Sequence, residues 1–305
     1  MHPAPSIIVF TTFSGLGYGL AAVLGLGLLD PAATSTGIAH ILALLLIAAG
    51  LSSSTLHLGN PQRAWRAFSQ WRSSWLSREG VMSILTFVPL VWSAWASVFE
   101  GRYFWFHGLL GSLLSAGTVY CTAMIYASLK SVDAWHTPLT PACYLLFAAA
   151  GGAMLAGVFA VAGGSMAVPM LAAALVLLVA AWVAKILWWR RLDGLTPLST
   201  PESATGLGFI GRVHLFERPH VNENYLTREM GFRVARKHAA KLRRLALALG
   251  GFAPALFLIL GIVTGGGVAI ALSSAAAISF LAGVLVERWL FFASARHAVM
   301  NYYGG

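Results

Sequence analysis

The sequence predicts an all-α integral membrane protein, a bundle of about eight transmembrane helices with both termini on the cytoplasmic side. Three observations predict it. Hydrophobic types make up 58% of the 305 residues and charged types only 10%, whereas a water-soluble domain carries roughly 25% charged residues to cover its surface. The stretches 1–29, 31–62, 80–99, 103–129, 134–184 and 245–286 contain no Asp, Glu, Lys or Arg. These stretches are continuously apolar rather than alternating, which excludes a transmembrane β-barrel.

A helical span needs roughly 20 apolar residues at about 1.5 Å rise each. The first four stretches hold one span apiece, at 6–28, 37–56, 80–99 and 105–129. No Lys or Arg precedes the first and no small-residue cleavage pattern follows it, so it reads as a retained span rather than a signal peptide. The stretch 134–184 holds two spans, 142–162 and 169–189, divided at Gly163-Gly164-Ser165-Met166-Ala167-Val168-Pro169. Gly265-Gly266-Gly267 divides the last into 245–264 and 268–293, the second running on through Glu287. The only cysteines, Cys121 and Cys143, fall on different spans and form no CxxC pair, so they support neither a metal site nor a required disulfide.

An even number of spans places both termini on one side with the loops 57–79, 130–141 and 190–244. Of the 20 Lys and Arg residues, only Arg102 falls on the other face. Cytoplasmic loops are the ones enriched in Lys and Arg, so the basic face is expected to be cytoplasmic. The net charge of +10 then reflects topology, lipid headgroups and room for an acidic partner, and does not indicate nucleic acid. The whole chain reads as a single membrane domain, with 190–244 a long basic loop. Its first part, with Pro197 and Pro201, is irregular. Its second part, Tyr225 to Arg244, reads as a helix with an apolar row at Leu226, Met230 and Val234 and a basic row at Arg233, Lys237, Lys241 and Arg244. Such a helix lies in the headgroup region or presents a docking surface for a soluble subunit.

Ionisable groups at membrane depth are costly, so each is a candidate site. His57 ends the second span and Glu79 opens the third, both at the cytoplasmic edge. Between them Gly59 and Pro61 break the helix, and Trp65, Trp71 and Trp75 suit a headgroup-level aromatic belt. Two readings stay open. In one, the segment receives a quinone headgroup, with His57 donating a hydrogen bond and relaying protons while Glu79 passes protons to or from the aqueous side. In the other, His57 caps a helix and Glu79 pairs with a basic neighbour. Glu287 and Arg288 are expected to find partners on other helices as a structural ion pair. His40 and His107 sit toward the outer side; a b-type haem would need them as a matched pair at one depth, and structural hydrogen bonding is the expectation instead. No GxGxxG before a strand, Walker pattern or HExxH spacing is present.

The segment His57-Leu58-Gly59-Asn60-Pro61-Gln62-Arg63-Ala64, the end Ser77-Arg78-Glu79 and the C-terminal Glu287-Arg288-Trp289-Leu290-Phe291-Phe292-Ala293 together resemble the membrane anchor subunits of dimethyl sulfoxide reductase-type molybdoenzymes. The resemblance extends over almost the whole chain. Within that family, Ser69 to Gly80 and Asn224 to Phe232 look most like the anchors of cytoplasmic sulfite dehydrogenases (sulfite:quinone oxidoreductases). The resemblance implies a three-part complex: a molybdopterin catalytic subunit, an iron–sulfur subunit, and this chain as the membrane anchor that exchanges electrons with quinone. It also implies that molybdopterin and iron–sulfur clusters reside in the partners, that no haem is held here, and that His57 and Glu79 form the quinone site. Arg63 and Arg78 are expected to stabilise the negative charge a quinone head acquires on reduction. The basic, cytoplasmic face is where the partners are expected to dock, which favours sulfite oxidation. An anchor for a dimethyl sulfoxide, polysulfide or tetrathionate reductase, oxidising quinol, is the alternative within the class. A secondary transporter is the alternative outside it, although the repeated halves with broken helices that would favour one are not found.

Overall fold

The computed structural model describes residues 3–55, 60–196, 199–214, 216–217 and 234–298. It contains eight helices long and apolar enough to cross a membrane, and no strand occurs among the described residues. In chain order they begin with α1 (Pro5–Leu24) and α2 (Thr34–Thr55). A 3-10 turn, Pro61–Phe68, leads to α3 (Trp75–Trp95), which runs on through a π turn, Ala96–Glu100. Next come α4 (Trp105–Ala127), α5 (Leu139–Gly163), α6 (Ala167–Asp193) and the short α7 (Pro201–Thr205). Then α8 (Val234–Leu247) passes through a second π turn, Ala248–Phe252, into α9 (Ala253–Val263), and α10 (Gly266–Ala293) closes the bundle.

The expected breaks hold, because residues at them satisfy helix ends. α5 stops at Gly163, and Gly164 takes the left-handed conformation (φ 69°) that lets its N–H reach back to Ala160 and Val161. The expected first span overruns its helix. α1 ends at Leu24, and the apolar residues from Gly25 to Leu29 form a turn around Gly27 (φ 67°). Hydrophobic composition alone does not distinguish a helix from an apolar turn. At 225–244 only Val234 onward is described, and there α8 flows straight into α9 as expected; Leu226, Met230 and Arg233 lie outside the described residues.

Hydrogen bonds between segments distant in sequence define the two ends of the bundle. At one, Ser53 donates to the Ser6 carbonyl at 2.9 Å, Trp135 Nε1 to the Phe291 carbonyl at 3.0 Å, and Arg243 grips Asp193 at 2.7 Å. At the other, Tyr103 donates to the Gly25 carbonyl at 2.8 Å and Ser97 to that of Pro31 at 3.0 Å. The first carries the basic loops and is the basic end of the molecule. α1 is enclosed by α2, α4, α5 and α10, while α6 and α9 pack outside α5 and α10. In a bilayer, helices associate by close van der Waals contact, which small residues permit. A Cβ on Gly19 would overlap the Ala148 carbonyl, so α1 and α5 touch backbone to backbone there. Gly283 of α10 likewise meets Gly250 in the second π turn, whose carbonyl also accepts from Trp182 Nε1 at 2.7 Å. π turns of this kind often mark special sites, and here one seats an indole.

Candidate functional site at the basic end

The third span begins earlier than its charge-free stretch does. Trp75-Leu76-Ser77-Arg78 already form the first turn of α3, so Glu79 is not at the edge. It lies inside the bundle, 5% exposed. The reason is its partner: Thr122 of α4, whose hydroxyl donates to Glu79 Oε1 and also reaches the Thr118 carbonyl at 3.1 Å. A run of hydroxyls continues along the α3–α4 seam. Ser83 donates to the Glu79 carbonyl at 2.8 Å, and Thr86 and Thr118 share a hydrogen bond at 3.0 Å. Among the described residues no Lys or Arg pairs with Glu79, so the neighbouring-cation reading of this residue does not hold there.

The other expected site residues are distributed around it. His57 lies outside the described residues. Arg63 is exposed on the 3-10 turn, which folds back on α3 where the Phe68 ring meets Gly80. Arg78, next to Glu79 in sequence, points the other way. Its Nε donates to the Trp71 carbonyl at 3.0 Å and its Nη2 to that of Arg72 at 2.8 Å, with the guanidinium 4.2 Å from the Trp75 ring centroid. Arg78 thus closes the 71–78 loop against the helix start. Trp65 and Trp71 are exposed, each with a flanking Arg over its ring, as suits a headgroup-level aromatic belt.

A second buried polar cluster lies at the same end. Glu287 of α10 meets Lys185 of α6 at 2.5 Å, and Arg288 Nη1 lies 3.4 Å from the other carboxylate oxygen. The three are 0–2% exposed. Lys185 Nζ sits 3.7 Å from the Trp188 ring centroid, and the Arg288 guanidinium 3.8 Å from that of Tyr144 on α5. The expected ion pair at Glu287 is present. Its cation, Lys185, reads in the sequence simply as part of the basic face, because nothing in its own surroundings reveals that α6 brings it to α10. Phe291 completes the wall, stacked on Trp135 at 5.4 Å, so within this segment Glu287, Arg288, Leu290 and Phe291 belong to the core while Trp289 is half-buried.

Between the two clusters lies a small cavity of about 10 Å³, lined by Thr12 of α1, Thr122, Tyr144, Phe147, Phe280 and Arg288, among others. Thr122 therefore faces Glu79 on one side and this cavity on the other. At the opposite end His107 stacks on Trp92 at 5.2 Å within a ring of Phe104 and Phe106. Cys121 and Cys143, next in sequence to Thr122 and Tyr144, are both free and buried.

Chemically, the basic end offers a buried carboxyl with a hydroxyl donor, one turn inside α3, beside an aromatic and basic loop. A carboxyl so placed can take up or release a proton where a membrane-soluble molecule arrives. The sequence could not single out Thr122 or Tyr144, since hydroxyls are scattered through all the apolar spans.

Comparison with known proteins agrees with this architecture. A model of the family described as DMSO reductase anchor subunit (DmsC) matches residues 1–293. The chain is also 33% identical to the C subunit of the sulfite dehydrogenase of Allochromatium vinosum, over an alignment of 336 positions that covers 99% of each chain. With eight apolar helices and a family match over nearly its whole length, this chain is a multi-pass membrane protein that belongs to the DMSO reductase anchor subunit family.

Proposed function

We propose that this anchor subunit passes electrons to membrane quinone at its basic end, beside His57 and Glu79. They would arrive from sulfite oxidation in a molybdopterin catalytic subunit, through an iron–sulfur subunit. The observation that carries the reading is Glu79, a carboxyl buried inside α3 whose side-chain partner is the Thr122 hydroxyl rather than a cation. A carboxyl kept at membrane depth without a cationic partner is costly unless it serves. Quinone reduction takes up two electrons and two protons. Glu79 is the described group able to hold a proton next to such a headgroup, and His57, just before the loop, supplies the hydrogen-bond donor. Arg63 and Arg78 place positive charge at the same end, Arg78 chiefly by fixing the loop.

Sulfite as the electron source draws on the likeness to the sulfite dehydrogenase of Allochromatium vinosum. The crowding of Lys and Arg at one end supports a cytoplasmic setting for that face in a bacterial inner membrane, with the soluble partners docked on it. The test uses the intact complex. His57→Ala and Glu79→Gln should sharply lower sulfite-to-quinone turnover while sulfite-to-dye turnover, which bypasses the anchor, stays normal. Full quinone-linked turnover in normally assembled variants would overturn the site.

A further inference from the structure

The cavity between the two buried clusters is bordered by polar atoms that find no hydrogen-bond partner among the described residues. Thr12 Oγ1, Tyr144 Oη and Arg288 Nε are all buried and make no hydrogen bond among the described residues. Their neighbours behave differently. Thr11 turns its hydroxyl back to the Ile7 carbonyl at 2.9 Å and Ser14 to that of Phe10 at 2.6 Å, the usual way a helix satisfies a buried hydroxyl. Thr12, between them, does not. Gly15 also borders the space, and a Cβ added there would meet nothing within 4 Å. The volume suits about one water, and a buried water needs two to four polar partners.

We propose that this cavity is an ordered-water site that joins Arg288 and Tyr144 to Thr122, making Arg288 a positioning residue for the acid–base chemistry of Glu79; the functional part rests on the quinone-site reading above. The donor inventory sets the direction of the chain. Arginine has only donors, so a water bound at Arg288 Nε accepts there and turns its hydrogens away. The Thr122 hydrogen points to Glu79, with the Thr118 carbonyl as its second acceptor, which leaves its oxygen lone pair to accept from that water. The sequence Arg288→water→Thr122→Glu79 is then a polarised chain, anchored by the Lys185–Glu287 pair that fixes Arg288. Thr12 and Tyr144 complete the water's partners. The chain holds the Thr122 hydroxyl turned toward Glu79, which is how Arg288 acts on that carboxyl without touching it.

The test is a cryo-EM map of the intact complex resolving waters, paired with turnover of Thr12→Val, Tyr144→Phe and Thr12→Ser variants. One density within hydrogen-bond reach of Thr12, Tyr144 and Arg288 is expected. Thr12→Val with Tyr144→Phe should remove it and lower quinone-linked turnover roughly tenfold, with dye-linked turnover unchanged. Thr12→Ser, which keeps the hydroxyl, should retain both. A dry cavity in the unsubstituted complex overturns the water site whatever the variants do. Water lost with turnover intact overturns the role of Arg288. If Glu79→Gln itself leaves turnover whole, the quinone reading fails, and the map still decides the water site alone.

Discussion

Lys185 of α6 and Glu287 of α10 meet at 2.5 Å with side chains 1% and 0% exposed. They are the most deeply buried opposite charges among the described residues. Such a pair is held in place less by its net attraction than by the cost of leaving either charge alone. Lys185→Met or Glu287→Leu should each destabilise the protein by about 3–5 kcal/mol, read as a fall in thermal midpoint or in yield of assembled complex. The double substitution should recover most of the loss. Single variants as stable as the parent would contradict the pairing.

Thr122 should matter through its hydroxyl. Thr122→Val strips the donor from a buried carboxyl, a loss of about 1–3 kcal/mol. Because about 1.4 kcal/mol is tenfold in rate, quinone-linked turnover should drop about fivefold or more. Thr122→Ser should retain turnover. Equal turnover in both variants would show that the hydrogen bond plays no part.

Backbone contact between α1 and α5 gives a steric prediction. Gly19→Leu should prevent the bundle from closing, since even a Cβ there overlaps the Ala148 carbonyl. Gly267→Ala, in the first turn of α10 where a Cβ would meet nothing within 4 Å, should be tolerated. Detergent-resistant assembly, followed by size-exclusion chromatography, separates the two outcomes.

Orientation can be read with single cysteines, because Cys121 and Cys143 are buried and give little background. Met166→Cys, on the turn opposite the basic end and 45% exposed, should react with a membrane-impermeant maleimide in intact cells. Ser73→Cys, in the exposed basic loop, should react only after permeabilisation. The reverse pattern would put the basic face outside and remove the support for cytoplasmic sulfite oxidation.

Much of the fold was legible because the bilayer leaves few alternatives: a charge-free stretch of span length is a helix, and the glycine-rich turns at 163–166 and 265–266 divide the long ones. Boundaries were less legible. Gly25 to Leu29 are apolar yet form a turn, and Trp75 to Arg78 are polar in part yet helical, which is why Glu79 proved buried rather than marginal. Of the site, Glu79 and the Glu287–Arg288 pair stood out as ionisable groups in the wrong solvent. Thr122, Tyr144 and Lys185 did not, since their roles depend on which helices adjoin, and each span is too uniformly apolar to say which neighbour its hydroxyls will face.

The most direct measurement is a cryo-EM map of the whole complex with a bound quinone analogue. The headgroup is expected at the basic end, with one carbonyl oxygen within hydrogen-bond reach of the Glu79 region and the Trp65–Trp75 loop over it. A headgroup bound instead at the opposite end, against Trp92 and His107, would contradict the quinone site proposed for this anchor.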